Sequence, residues 1–117
     1  MEEKRHIIVY YATVSGRRPV REFLDGLSPR SRDKCLSYID LLREMGTSLR
    51  SSHIKKLEDD LWELRPEYGG IEYRLFFGID GRRFVFTHGV VKKRQKTARN
   101  DIELAQKRFV EWKDSQK

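Results

Sequence analysis

Three features of this chain have residue types suited to handling a phosphate group. Arg74 stands in a run of large apolar residues, Tyr73, Leu75, Phe76 and Phe77. A guanidinium there costs free energy unless it is paired or faces a groove. Facing a groove, its planar, permanently charged fork suits a phosphate or a phosphorane. The competing arrangement is an ion pair with Glu63 or Glu72. His88 ends a second apolar run, Phe84-Val85-Phe86-Thr87-His88. Imidazole can give or take a proton near neutral pH. Strand alternation places His88 on the face of Phe84 and Phe86, so a partly buried core histidine is its competing arrangement. Past Gly89 the chain enters Lys92-Lys93-Arg94-Gln95-Lys96-Thr97, with Arg99 just beyond. This is the densest cationic cluster of the chain, and it follows directly on a buried element. Lys92, Lys93, Arg94 and Lys96 read as grips on phosphates, and Lys92 or Lys93 could also supply charge or a proton to a reacting group.

Glu63 lies in Leu61-Trp62-Glu63-Leu64-Arg65. Held ionised by nearby cations, it could accept a proton as general base. It could equally pair with Arg74 or Arg65, and the ion pair is the better-supported arrangement on sequence. Arg65 on the same strand is a further phosphate contact. Lys55 and Lys56 form a second basic spot, for which a solvated face competes with RNA binding. Trp62 and Tyr73 could stack on bases, although aromatics on strands of a thin core more often pack.

The elements that must position these groups follow from pattern. Ile7-Ile8-Val9-Tyr10-Tyr11 reads as a strand. A short helix begins at Pro19 and puts Val20, Phe23 and Leu24 on one face. Ser28-Pro29 caps and opens a longer helix that should end at Gly46, with Cys35, Leu36, Ile39, Leu42 and Met45 as its stripe. Residues 54–57 are extended, 61–65 and 71–79 are strands, and Asp80-Gly81 turns into a strand over 82–91. Asn100-Asp101-Ile102-Glu103 has capping-box spacing before a helix whose stripe is Ile102, Ala105, Phe109 and Trp112. The expectation is one α+β domain over 1–117, a small antiparallel sheet with helices packed on one face and the other face partly open.

Composition narrows the functional classes. The chain has 117 residues, 37% of them charged, and a net charge of +7. A small domain this basic favours polyanionic partners. Cys35 is the single cysteine, which excludes an internal disulfide and suits a reducing compartment, so a cytoplasmic location is expected. His6, His53 and His88 are far apart without cysteine company, so neither a metal nor another cofactor is expected. No apolar run is long enough for a membrane span.

Taken together, Leu61-Trp62-Glu63-Leu64-Arg65, Tyr73-Arg74-Leu75-Phe76-Phe77, Phe86-Thr87-His88-Gly89 and the 92–97 loop resemble the RelE/HigB superfamily of type II toxins, and within it the phage-derived HigB-like branch. The resemblance covers most of the chain, from the second helix to the last, in order and spacing. It implies a RelE/ParE-like toxin fold and a ribosome-dependent mRNA endoribonuclease. Cleavage in that family needs no metal: the messenger's own 2′-hydroxyl attacks the adjacent phosphate. It implies the ribosome and mRNA as partners, with a cognate antitoxin, a helix-turn-helix protein of HigA type. The family places a phosphate-stabilising arginine in the Tyr-Arg-Leu context of Arg74. The RelE branch has lysines where this chain has Leu61 and Glu63, which leaves the identity of the base open. Two other classes compete: a non-enzymatic, ParE-like inhibitor of gyrase, and a plain basic nucleic-acid-binding module.

Overall fold

The computed structural model describes residues 6–93 and 95–117. Among these residues six strands and three helices follow in the order β1 (Ile7–Tyr10), α1 (Pro19–Asp25), α2 (Pro29–Met45), β2 (Ile54–Glu58), β3 (Leu61–Leu64), β4 (Glu67–Tyr68), β5 (Ile71–Asp80), β6 (Arg83–Val91) and α3 (Arg99–Ser115), with a 3-10 turn at Gly46–Ser48. The sheet order is β1-β6-β5-β3-β2, with β4 paired to β5 outside that path.

The helix boundaries follow from local chemistry. Ser28 accepts a bond from the Ser31 amide and Pro29 opens α2, as expected for an N-cap serine with proline at the first helical position. Gly46 ends α2 at φ +59, and a side chain there would collide with the His6 ring. On α2 the buried positions are Ser31, Cys35, Ile39 and Leu42. Leu36 and Met45, expected on that stripe, are exposed, because at about 100° per residue they flank the buried row on its two sides, turned from it by roughly 105° and 75°. Asp80 pairs with Arg83, so the two-residue hairpin loop is Gly81-Arg82, one residue later than expected. Gly81 has φ +62, the conformation that a type II′ turn requires at its first central position.

The α+β class is as expected, and two particulars differ. β1 runs parallel to β6, so the sheet is mixed. The helices also occupy both faces. Against α1 and α2 lie Leu64, Tyr73, Leu75, Phe77, Phe84 and Phe86. Against α3 lie Leu61, Phe76 and Val85. The central strands carry apolar residues on both faces, and a one-sided arrangement would have left Phe76 and Val85 in water.

Cys35 is fully buried in the first of these clusters, and burial pushes its thiol up to about 11. The thiolate is the reactive form. At pH 8 the native protein is therefore expected to leave Cys35 untouched by a thiol-specific disulfide reagent, with full reaction only after urea is added. Rapid stoichiometric labelling of the native protein would contradict this.

Candidate active site

The register of the central strands decides which side chains meet. Phe77 pairs with Phe86, but Phe76 pairs with His88, so Thr87 is an extra residue in β6. Such a bulge re-aims the side chains that follow it. Phe86 faces α1 and α2. Thr87 bonds the Ala105 carbonyl on α3, and His88 bonds Asp101 on the same helix. Simple alternation would have put His88 beside Phe84 and Phe86. The bulge turns it to the opposite face, where its ring stacks on Phe76 at 5.4 Å.

On that same face, Glu63 pairs with Phe76, and Arg74 lies two residues from Phe76 on β5. Glu63 is completely buried and Arg74 is 3% exposed. Between them lies Thr97, also buried. Its hydroxyl accepts a bond from Arg74 Nη1 and donates to Glu63 Oε1 at 3.0 Å. Arg74 Nη2 donates to the Gln95 carbonyl at 2.9 Å, and Arg74 Nε lies 4.0 Å from Glu63 Oε1. This network ties the end of the basic loop to the middle of the sheet. A buried charge is stable only when paired and hydrogen-bonded in this way.

A second chain of charges runs outward. Arg65 Nε lies 3.2 Å from Glu63 Oε2 and 3.9 Å from Glu72 Oε2, and Lys92 Nζ lies 2.7 Å from Glu72 Oε1. Glu72 thus holds Lys92 beside the sheet. Past Lys92, the loop and the start of α3 enclose an open groove of about 700 Å³, lined by Val90, Lys92, Lys93, Lys96, Arg99 and Asp101 among others, with Arg74 beneath. Lys93 and Lys96 are exposed, and among the described residues neither has an ion pair. Arg99 pairs with Glu58 at 3.1 Å and with Glu103 at 3.3 Å.

The structure therefore gathers Glu63, Arg65, Arg74, His88, Lys92, Lys93 and Lys96 around one region. Lys55 and Lys56, on the edge strand β2, do not line the groove. Lys55 lies opposite Glu63 and shares its face, at the margin of this region, whereas Lys56 lies opposite Trp62 and points to the other face. Lysines on an edge strand discourage pairing with other chains. Arg94 lies outside the described residues. Trp62 and Tyr73 pack in the core on the α2 side, where the Tyr73 hydroxyl donates to Ser31 Oγ at 2.9 Å.

Sequence reasoning gave no role to Thr97 and saw Asp101 only as part of a capping box. That box does not form: α3 begins at Arg99 after Ala98, which makes no side-chain cap bond. Asp101 falls instead in the first helical turn, where a carboxylate is favoured by the helix dipole. The signal was the spacing of Thr97 and Asp101 after the strand of His88, but their partners lie 34 and 13 residues away in sequence. Among the described residues, no group of three His, Cys, Asp or Glu side chains could hold a metal ion, and no helix is long and apolar enough to cross a membrane.

Residues 22–110, a span that includes every one of these site residues, match the model of the family described as Phage derived protein Gp49-like (DUF891). The chain belongs to this family. It is a type II toxin family of RelE/HigB-like kind, so membership points to a toxin-like function and, in general terms, to an antitoxin partner. No curated protein matches the chain. Within the Gp49-like fold the matched segment runs from α1 to the middle of α3, which is the part that builds the groove and its buried supports.

Proposed function

We propose that this Gp49-like protein is the toxin of a type II toxin–antitoxin pair and acts in the cytoplasm as a ribosome-dependent mRNA endoribonuclease of the HigB-like branch. The groove is the observation that supports this best. It is open and lined by Lys93 and Lys96, which among the described residues have no ion pair, and by Asp101, which is bonded to His88. Metal-independent cleavage needs positive charge at the phosphate, a proton acceptor at the 2′-hydroxyl and in-line positioning.

Each part of the site supplies one of these. Lys93 and Lys96, with Arg94, grip the messenger or ribosomal RNA. Lys92, held by Glu72, adds charge at the sheet end of the groove. Arg74 contributes its charge from below and holds the loop in place through Thr97 and Gln95. Glu63 fixes Arg74 and Arg65, and His88 takes part in proton handling through Asp101. A helix-turn-helix antitoxin of HigA type would silence the toxin by covering this basic surface.

Induced expression with mapping of messenger 5′ ends tests the reading. Growth arrest with new 5′-hydroxyl ends inside translated codons is expected, and co-expression of the antitoxin should abolish both. Arrest with intact messengers and stalled gyrase–DNA complexes would instead assign a ParE-like mode. Neither arrest nor new ends would leave only a nucleic-acid-binding module.

Salt dependence tests the grips separately. Each phosphate contact to a single strand contributes about 0.7 to the slope of log affinity against log salt. Lys93→Ala and Lys96→Ala should each lower the slope for programmed ribosomes by about that amount. Lys56→Ala, on an edge strand away from the groove, should leave it unchanged. Equal slopes in all three variants would remove the groove lysines from the interface.

A further inference from the structure

We infer that Asp101 is the general base of the cleavage site, with His88 as the residue that positions it. This rests on the ribonuclease reading of the groove and goes beyond it by naming the group that meets the 2′-hydroxyl.

Three groups near the groove have proton-accepting chemistry: Glu63, His88 and Asp101. Glu63 is completely buried. Thr97 donates to one of its oxygens and Arg65 to the other, so no face of the carboxylate is open to a ligand. His88 has a side chain 15% exposed, is stacked on Phe76, and does not line the groove. Asp101 has a side chain 30% exposed and lines it. A general base must come within hydrogen-bond reach of the proton that it takes. Of the three, only Asp101 stands where a bound nucleotide could reach it.

The surroundings of Asp101 suit that task. Its Oδ1 lies 2.9 Å from His88 Nε2, which fixes the carboxylate in one orientation. Among the described residues its Oδ2 has no hydrogen-bond partner. Lys93 and Lys96 line the same groove and would hold the scissile phosphate. Its first-turn position on α3 gives it a rigid platform, and a base held on a regular element is placed more accurately than one on a loop. In the step itself the 2′-hydroxyl proton passes to Asp101 Oδ2 and O2′ bonds to phosphorus. The P–O5′ bond breaks, and the leaving O5′ takes a proton from water. The products are a 2′,3′-cyclic phosphate and a 5′-hydroxyl.

The test is single-turnover cleavage of messenger on programmed ribosomes, with ribosome co-sedimentation and thermal unfolding as controls. Asp101→Asn should cut at least about 100-fold more slowly while sedimenting with ribosomes like the wild type. Asp101→Ala should be equally slow and recover at least tenfold when formate is added, because a small carboxylate can occupy the vacated space. A purely structural aspartate would give no such rescue. His88→Ala should also slow cutting. His88→Gln, whose amide can still donate to Asp101, should recover part of that loss. If the wild type cuts and Asp101→Asn cuts equally fast, the assignment fails while the ribonuclease reading survives. If folded Asp101→Ala is slow but formate gives no recovery, Asp101 is not the base. If the wild type cuts no messenger on any ribosome, the reading fails and the assignment falls with it.

Discussion

Replacing Arg74 with alanine is expected to lower the unfolding free energy by about 3 kcal/mol and to release the basic loop from the sheet. Removing one partner of a buried ion pair generally costs roughly 3–5 kcal/mol, since the other charge is left without compensation. The lower end applies here because Arg65 Nε remains 3.2 Å from Glu63 Oε2 and keeps part of that charge satisfied. Thr97 and the Gln95 carbonyl would also lose their donor. Arg74→Lys should recover little. An ammonium on a flexible stem cannot reproduce a planar fork that spans Thr97 and the loop backbone at once. Thr97→Val removes only the bridging hydroxyl and should cost about 1.5–3 kcal/mol, the range for hydrogen bonds to charged groups. The decisive comparison is a double-mutant cycle by urea unfolding. Glu63→Gln combined with Arg74→Met should be more stable than the sum of the single losses by at least about 1 kcal/mol. Additive losses would show that the two residues are not coupled through the core. Arg74 is thus a structural part of this site, and under the proposed ribonuclease function a loss of cleavage in Arg74→Ala counts as chemical only where the variant stays folded.

The parts of the molecule legible in the sequence are those set by neighbours along the chain. Ser28, Pro29 and Gly46 mark α2 because capping chemistry is local. The strands of Leu61, Ile71 and Phe84 are visible because large apolar residues cluster there. Arg74 stands out because a guanidinium among aromatics needs a partner, and the partner turned out to be shared between Glu63 and Thr97. What could not be read depends on register across the sheet. The extra residue at Thr87 is a property of how β6 lies on β5, and it reverses the facing of His88. A period-two pattern carries no mark of such an insertion. The placement of α3 was similarly hidden. Its apolar stripe was clear, yet which face of the sheet it covers depends on Phe76 and Val85, which read as core on either side. The N-cap of α3 is Ala98 rather than Asn100, two residues earlier than expected, which sets Asp101 in the first helical turn, where it bonds His88.

Gly78→Ala is expected to destabilise the protein by about 1–2 kcal/mol, with a larger loss for Gly78→Val. Gly78 lies in the central strand β5, paired with Leu61 on one side and Val85 on the other. A Cβ at this position would fall inside the contact distance of the Phe109 ring. The ring cannot easily give way. It is fully buried, lies parallel to Trp112 with centroids 6.4 Å apart, and has Lys113 Nζ 4.7 Å from its centroid. The strand cannot retreat either, because hydrogen-bonded ladders hold it on both edges. Overpacking of this kind costs about 1–3 kcal/mol. Against it stands a gain of roughly 0.5–1 kcal/mol from removing a flexible glycine from a strand, which leaves a net loss. Phe109→Ala alone should cost about 3–5 kcal/mol through the cavity it opens. The added methyl of Gly78→Ala should then fill part of that cavity, so the double variant should lose less than the sum. Urea unfolding of the four proteins measures both effects, and a neutral or stabilising Gly78→Ala would show that α3 is not seated on this strand. The consequence for the site is direct. The helix that Phe109 anchors also carries Asp101, so a tilt of α3 moves that carboxylate relative to His88 and the groove lysines. Under the proposed ribonuclease function, Gly78→Ala should therefore slow cleavage at temperatures well below its melting point, whereas substitutions on the exposed face of α3, such as Val110→Ala, should not.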